Sequence, residues 1–192
     1  MLRDLTEKYQ ITLASNSPRR KELLNEIIPI FKVESKEVEE IYPNNLEGGE
    51  IATYLSELKS KPFQPNEKEL IITADTIVIL NGLILGKPKS PEEAINMLTL
   101  LSGKKHEVIT GVTIRTKDKE LSFYDSTKVE FYKLKPNEIE YYVTNYKPFD
   151  KAGAYGIQEW IGHVGIKKME GDFYNVMGLP VHKVYRELKQ FI

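Results

Sequence analysis

The chain has 192 residues, 41% of them hydrophobic, with 27 Lys and Arg against 28 Asp and Glu and no cysteine. That is enough apolar side chain for a real core, in one large domain or two closely packed lobes. The near balance of charge leaves no overall field to hold a nucleic-acid duplex or an anionic membrane, so any anion must be bound locally. The lack of cysteine excludes disulfides, thiolate metal sites and cysteine nucleophiles. Charges stand near the N-terminus where a signal peptide needs an apolar stretch, and no apolar run approaches membrane-spanning length. The expectation is a soluble, cytoplasmic protein.

In Ile11-Thr-Leu-Ala-Ser-Asn-Ser-Pro-Arg-Arg-Lys-Glu-Leu-Leu24 a short apolar run breaks into small polar residues and then resumes with helical spacing. It reads as strand, tight loop and helix, with Ser17 as N-cap and Pro18 at the first helical position. Leu23, Leu24, Ile27 and Ile28 form the inward stripe, while Lys21, Glu22 and Glu26 face water. Arg19 and Arg20 are left beside the positive end of the helix dipole, which repels them unless an anion offsets the charge. With free N–H groups and the loop serines they would make a phosphate site. An isolated Arg-Arg pair is more often simply solvated.

Further on, Ile30-Phe-Lys-Val33 looks like a strand that runs into the acidic stretch Glu34–Glu40. Such stretches are usually solvated, but this one follows a strand end, which keeps Glu40 as a candidate metal ligand. Ile51, Tyr54, Leu55 and Leu58 mark a helix ended by Pro62, with Lys59 just off its apolar stripe, the usual place of a snorkelling lysine.

Leu70–Leu80 is the most strand-like segment, and its near-continuous branched residues suggest a central strand buried on both faces. Asp75 in its middle must pair with a cation, accept several hydrogen bonds or bind metal. Asn81-Gly82 predicts a tight hairpin with return strand Leu83–Leu85, bringing Lys87 back towards Asp75, to pair with that carboxylate or with a phosphate beside it. Ser90-Pro-Glu-Glu93 opens a helix with Ala94, Met97, Leu98 and Leu101 inward, stopped by Ser102-Gly103.

Alternation then predicts a hairpin of two long strands, 106–116 and 121–134, and hence a mixed sheet. A helix with Ile139, Tyr142 and Val143 inward follows, and then a loop, Lys147–Gln158, in which Gly153 and Gly156 permit close approach of backbone to a ligand. Gln158 carries donor and acceptor in one group, suited to reading the edge of a base. His163–Met169 and Phe173–Met177 read as a last hairpin, and Gly178-Leu-Pro180 starts a C-terminal helix. The three histidines are too scattered in sequence to suggest a metal cluster.

Leu13-Ala-Ser-Asn-Ser-Pro-Arg-Arg20, Ala74-Asp-Thr76, Gly86-Lys-Pro88, Leu101-Ser-Gly103, Asp150-Lys-Ala-Gly-Ala-Tyr-Gly-Ile-Gln158 and Gly178-Leu-Pro180, in this order, resemble the Maf family of nucleoside triphosphate pyrophosphatases. The resemblance covers nearly the whole chain, as a single domain over residues 1–192. It implies a two-lobed, mixed-sheet α/β fold like that of inosine triphosphate pyrophosphatases, with the active site in the cleft between lobes. It implies Asp75 as general base or metal-bound carboxylate, Glu40 as a second metal position, and Ser15, Ser17, Arg20, Lys59 and Lys87 around the phosphates. Arg19, Thr76 and Gln158 match positions tied to base selection in the branch acting on dTTP and UTP.

The implied cofactor is a divalent cation, Mg²⁺ or Mn²⁺; the implied substrate is a nucleoside triphosphate, ordinary or modified, and a homodimer fits the family. A nucleotide-binding regulator of cell division or septum formation without significant turnover is the alternative. One departure stands out. The family usually continues with glycine after the Gln, whereas Glu159-Trp160 follows here.

Overall fold

A computed structural model of the chain describes residues 2–192. In chain order the elements are α1 (Arg3–Lys8), β1 (Gln10–Leu13), α2 (Pro18–Asn25), β2 (Lys32–Val33), α3 (Gly49–Ser60), β3 (Glu69–Leu80), β4 (Leu83–Leu85), α4 (Pro91–Leu101), β5 (Lys105–Arg115), β6 (Glu120–Phe131), α5 (Pro136–Tyr146), α6 (Trp160–Gly165), β7 (Ile166–Glu170), α7 (Phe173–Met177) and α8 (Val181–Leu188), with short 3-10 turns at Ala152–Ala154 and Lys189–Phe191. The strands form one seven-stranded sheet in the order β2-β1-β3-β5-β6-β7, with β4 paired to β3. β1 runs parallel to β2 and β3, whereas β3–β4 and β6–β7 are antiparallel, so the sheet is mixed.

The chain divides into two compact units, one of Met1–Asp75, Thr110–Asp125 and Gly178–Ile192, the other of Thr76–Ile109 and Ser126–Met177. In the first, β1, α2 and β2 form a parallel crossover, and β2 is only a two-residue edge strand flanked by exposed Ile30. Ser17 caps α2 by accepting the backbone N–H of Arg20 at 3.5 Å, and Leu23, Leu24 and Ile28 are buried as the periodicity predicts. α1, with Leu2 and Leu5 buried, is an element the charged N-terminal sequence did not suggest.

The buried face of α3 is turned from the one the apolar stripe predicts. Ile51, Ala52, Leu55, Ser56 and Ser60 face inward, while Tyr54 and Leu58 are half-buried. The cause is a close approach of backbones: a Cβ on Gly111 of β5 would stand 2.1 Å from the Ala52 carbonyl oxygen. Small residues therefore occupy the contact, and Ser56 compensates its burial by hydrogen bonding to Thr113 at 2.8 Å. The hydroxyl of Thr73 on β3 donates to the Ser56 carbonyl at 2.7 Å.

In the second unit the β3–β4 hairpin forms as the Asn-Gly signal predicts, with Asn81 and Gly82 both at positive φ and Val78 opposite Leu85. Ser90 caps α4 through the Glu93 N–H at 3.2 Å, and Ala94, Met97, Leu98 and Leu101 are buried against a core that includes Ile139, Tyr142 and Val143 of α5. β5 and β6 are neighbours joined by residues 116–119, where Thr116 N–H donates to Lys119 at 2.8 Å. A link this short joins only antiparallel strands.

The expected last hairpin does not form. Residues 160–165 are the helix α6, and 173–177 are the helix α7 rather than a strand. Asp172 accounts for α7 by accepting the Asn175 N–H at 2.7 Å, and buried Asn175 donates to the Val108 carbonyl at 3.0 Å and to the Thr127 hydroxyl at 2.9 Å. A buried amide satisfied in this way overrides the weak alternation of a five-residue apolar stretch. No described helix is long and apolar enough to cross a membrane.

Candidate active site

The loop between β1 and α2 is held by its own serines and one arginine. Ser15 Oγ accepts the backbone N–H of Ser17 at 3.2 Å and a guanidinium N–H of Arg20 at 3.4 Å. Arg20 Nε donates to the Gly178 carbonyl at 2.8 Å, which ties the start of α2 to the segment leading into α8. Enclosure lowers the pKa of the Arg20 guanidinium from its ordinary value, Asp75 pulls it back up, Arg19 lowers it further and Glu40 raises it. It remains a cation, because arginine does not lose its proton in proteins. Arg19 is half-buried on the same turn.

Asp75 is 5% exposed in the middle of β3. Burying that charge is costly, and the compensation is Lys59 from the last turn of α3, whose ammonium binds Asp75 Oδ1. Glu40, from the loop after β2, reaches the same ammonium at 2.9 Å and is 45% exposed. Two carboxylates from distant parts of the sequence therefore converge on one cationic position. The cation on Asp75 is thus Lys59, a lysine whose place beside an apolar stripe gave little sign of it.

Asp75 and Glu40 offer hard oxygen donors of the kind Mg²⁺ or Mn²⁺ takes, and in this structure both bind the Lys59 ammonium.

Thr76 follows Asp75 on β3 and is half-buried, and Lys87 is exposed two residues past the end of β4. In the Lys147–Gln158 loop Gly153 has φ 69°, and a Cβ there would meet the Val78 side chain at 3.0 Å, so the close approach at this glycine is to β3. Gly153 N–H also donates to the Gly86 carbonyl at 3.0 Å. Gln158 is half-buried, and its Oε1 is a buried acceptor with no hydrogen-bond partner among the described residues. An orphaned acceptor of this kind is a place for a donor to bind.

The residues behind this loop were not legible as a group in the sequence. Tyr142, fully buried on α5, donates its hydroxyl to Glu159 Oε2 and accepts the Gly156 N–H at 2.9 Å. Lys151 pairs with Glu159 at 3.1 Å and with Asp150 at 2.7 Å. The departure at Glu159 was the one available signal. His106 Nε2 and the hydroxyl of Tyr155 in the loop, both buried, share a hydrogen bond of 2.7 Å.

The structure thus combines a mixed α/β sheet, a serine-arginine loop that opens a capped helix, and a buried carboxylate bound by lysine. The chain belongs to the Maf family, whose model, described as Maf-like protein, matches residues 10–191. It is 52% identical over 189 residues to a protein of Bacteroides thetaiotaomicron named dTTP/UTP pyrophosphatase, covering 96% of this chain and 97% of the relative. Proteins of the same name from Cytophaga hutchinsonii and Christiangramia forsetii are 55% and 49% identical, covering 94% and 100% of this chain and 83% and 99% of the relatives. The solved structure of the Staphylococcus aureus Ham1 protein aligns over 64% of this chain and 71% of its own with a TM-score of 0.43 and 20% identity.

Proposed function

We propose that this protein hydrolyses dTTP and UTP to the nucleoside monophosphate and pyrophosphate. The observation that carries the reading is the convergence of buried Asp75 and of Glu40 on Lys59, in a chain about half identical over its full length to proteins bearing that activity as a name.

In the proposed reaction a water oxygen bonds to the α-phosphorus while the bond from that phosphorus to the α,β-bridging oxygen breaks, and pyrophosphate leaves. Asp75 orients the water and takes its proton; a general base of this kind contributes roughly 10²–10⁴-fold. Lys59, freed in part from Asp75 when substrate binds, and Lys87 neutralise phosphate oxygens. The Ser15–Ser17 loop and Arg20 hold the phosphate chain at the start of α2, where N–H groups and guanidinium match its oxygens. A divalent cation bound by Asp75 and Glu40 would supply charge neutralisation at the phosphates. Arg19, Thr76 and Gln158 take the nucleoside, with the orphaned Gln158 oxygen accepting an N–H of the base.

The test is pyrophosphate release with Mg²⁺ or Mn²⁺ across dTTP, UTP, CTP, GTP and 7-methyl-GTP. Preferential turnover of dTTP and UTP is the expected result. Absence of turnover of every nucleotide by folded, metal-supplied protein would overturn the reading in favour of a nucleotide-binding regulator.

A further inference from the structure

An arginine grips a phosphate best when the plane of its guanidinium is set before the anion arrives, because its long side chain otherwise gives up rotamer freedom on binding. Arg20 is held along its whole length. Its backbone N–H donates to the Ser17 hydroxyl at 3.5 Å, its Nε to the Gly178 carbonyl at 2.8 Å and its Nη1 to the Ser15 hydroxyl at 3.4 Å. Bonds at two different nitrogens of one planar group fix both its place and its rotation. The Gly178 and Ser15 acceptors are neutral, so this grip takes nothing from the positive charge.

Each of the two acceptors is itself anchored. Ser15 is buried, and its Oγ also accepts the Ser17 N–H at 3.2 Å. Gly178 precedes buried Leu179, and the carbonyl of the next residue, Pro180, takes the Lys183 and Val184 N–H groups at 3.0 Å each. These bonds lie at the start of α8, whose Val184 and Leu188 are buried. The Gly178 carbonyl is therefore carried on a fixed stretch of chain. Its direction depends on the backbone of Gly178, where φ is 117°, a conformation that any other residue would adopt only under strain. An alanine at this position relieves that strain by turning the peptide plane, which swings the carbonyl away from Arg20 Nε.

We infer that Gly178 is a positioning residue for the proposed reaction: its carbonyl, with the Ser15 hydroxyl, sets the plane in which the Arg20 guanidinium meets the phosphate chain. Gly178 acts through Arg20 alone. The inference rests on the reading of Arg20 as a residue that holds phosphate.

The experiment compares wild type, Gly178→Ala, Arg20→Ala and the double variant by KM for dTTP and by calorimetric titration with pyrophosphate, both with Mg²⁺ present. Gly178→Ala is expected to weaken pyrophosphate binding and raise KM about tenfold, the scale of one hydrogen bond to a charged group. Arg20→Ala should lose at least as much, and the double variant should be no weaker than Arg20→Ala, because two residues acting through one contact do not add. In parallel, the Arg20 Nε–H resonance of the wild type, assigned by its absence from Arg20→Lys, is followed by hydrogen exchange. It should stay protected from solvent when pyrophosphate is added.

Wild-type affinity in folded Gly178→Ala would overturn the inference, as would a double variant that shows the product of the two single losses. Loss of Nε–H protection on adding pyrophosphate would overturn it too, by showing that Arg20 leaves Gly178 to bind phosphate. If Gly178→Ala does not fold, that resonance decides the matter. Wild-type pyrophosphate affinity in Arg20→Ala, or no affinity in the wild type, would overturn the reading of Arg20 and the inference with it. If the wild type hydrolyses no nucleotide yet binds pyrophosphate, the proposed activity has failed, and the titrations and the resonance still decide the role of Gly178.

Discussion

The ammonium of Lys59 is bound by the carboxylate of Asp75 in the middle of a strand that is buried over most of its length. The pair is asymmetric. Lys59 has a second carboxylate, Glu40, at 2.9 Å, and would remain paired if Asp75 were neutralised. Asp75→Asn keeps the shape of the side chain and loses its basicity. We expect pyrophosphate release to fall about 10³-fold, on the scale of a lost general base, with the thermal midpoint close to wild type. Near-normal turnover in the folded variant would remove Asp75 from the chemistry.

The converse substitution should behave differently. Lys59→Met leaves the Asp75 carboxylate buried without the ammonium that binds it, with the Arg20 guanidinium still in its field. Removing one partner of a buried pair costs about 3–5 kcal/mol. The loss should lie near the lower end, because Lys59 itself is 16% exposed. Urea denaturation at neutral pH reads this directly, and an unchanged midpoint would show that Asp75 finds another partner.

Glu40 lies on an exposed loop, so its substitution should perturb ligand binding and little else. We expect Glu40→Gln to raise the Mg²⁺ or Mn²⁺ concentration for half-maximal activity about tenfold, in the range that loss of one charged ligand produces. Chelation with EDTA should abolish turnover in both proteins, and added Mg²⁺ or Mn²⁺ should restore it. Equal metal dependence in wild type and variant would exclude Glu40 as a ligand.

What the sequence makes legible here follows the range of the forces involved. Local rules were sufficient for the Ser17 cap, the Asn81-Gly82 turn, the stop at Gly103 and the core face of α4, because each depends on a few adjacent residues. The break of pattern at Asp75 was also visible, as a charge in an apolar run. Its partner was not, since Lys59 comes from a helix sixteen residues earlier in the chain and looks like any lysine flanking an apolar stripe. The rotated face of α3 was hidden for a similar reason: Ala52 and Ser56 face inward because Gly111, far along the chain, brings another backbone against them. Phe173–Met177 misled because alternation over five residues is weak, while the buried amide of Asn175 acts through contacts on β5 and β6.

His106 gives the fold a pH dependence of its own. Burial lowers its pKa to about 4 from the ordinary 6.5, a backbone hydrogen bond at Lys104 pulls weakly upward, and the ring is enclosed by Phe131 and Tyr155. Between those two values the unfolded chain binds a proton that the folded chain does not, so stability rises with pH across that window. The contribution is complete above pH 6.5, is lost as the pH falls, and has gone by about pH 4. A shift of this size corresponds to about 3 kcal/mol. Replacing the ring by a side chain that does not titrate, as in His106→Gln, should flatten the stability curve by that amount between neutral pH and about pH 4. Urea midpoints for both proteins at several pH values supply the comparison. Curves that run parallel through the window would mean that His106 takes up its proton in the folded state as readily as in the unfolded one.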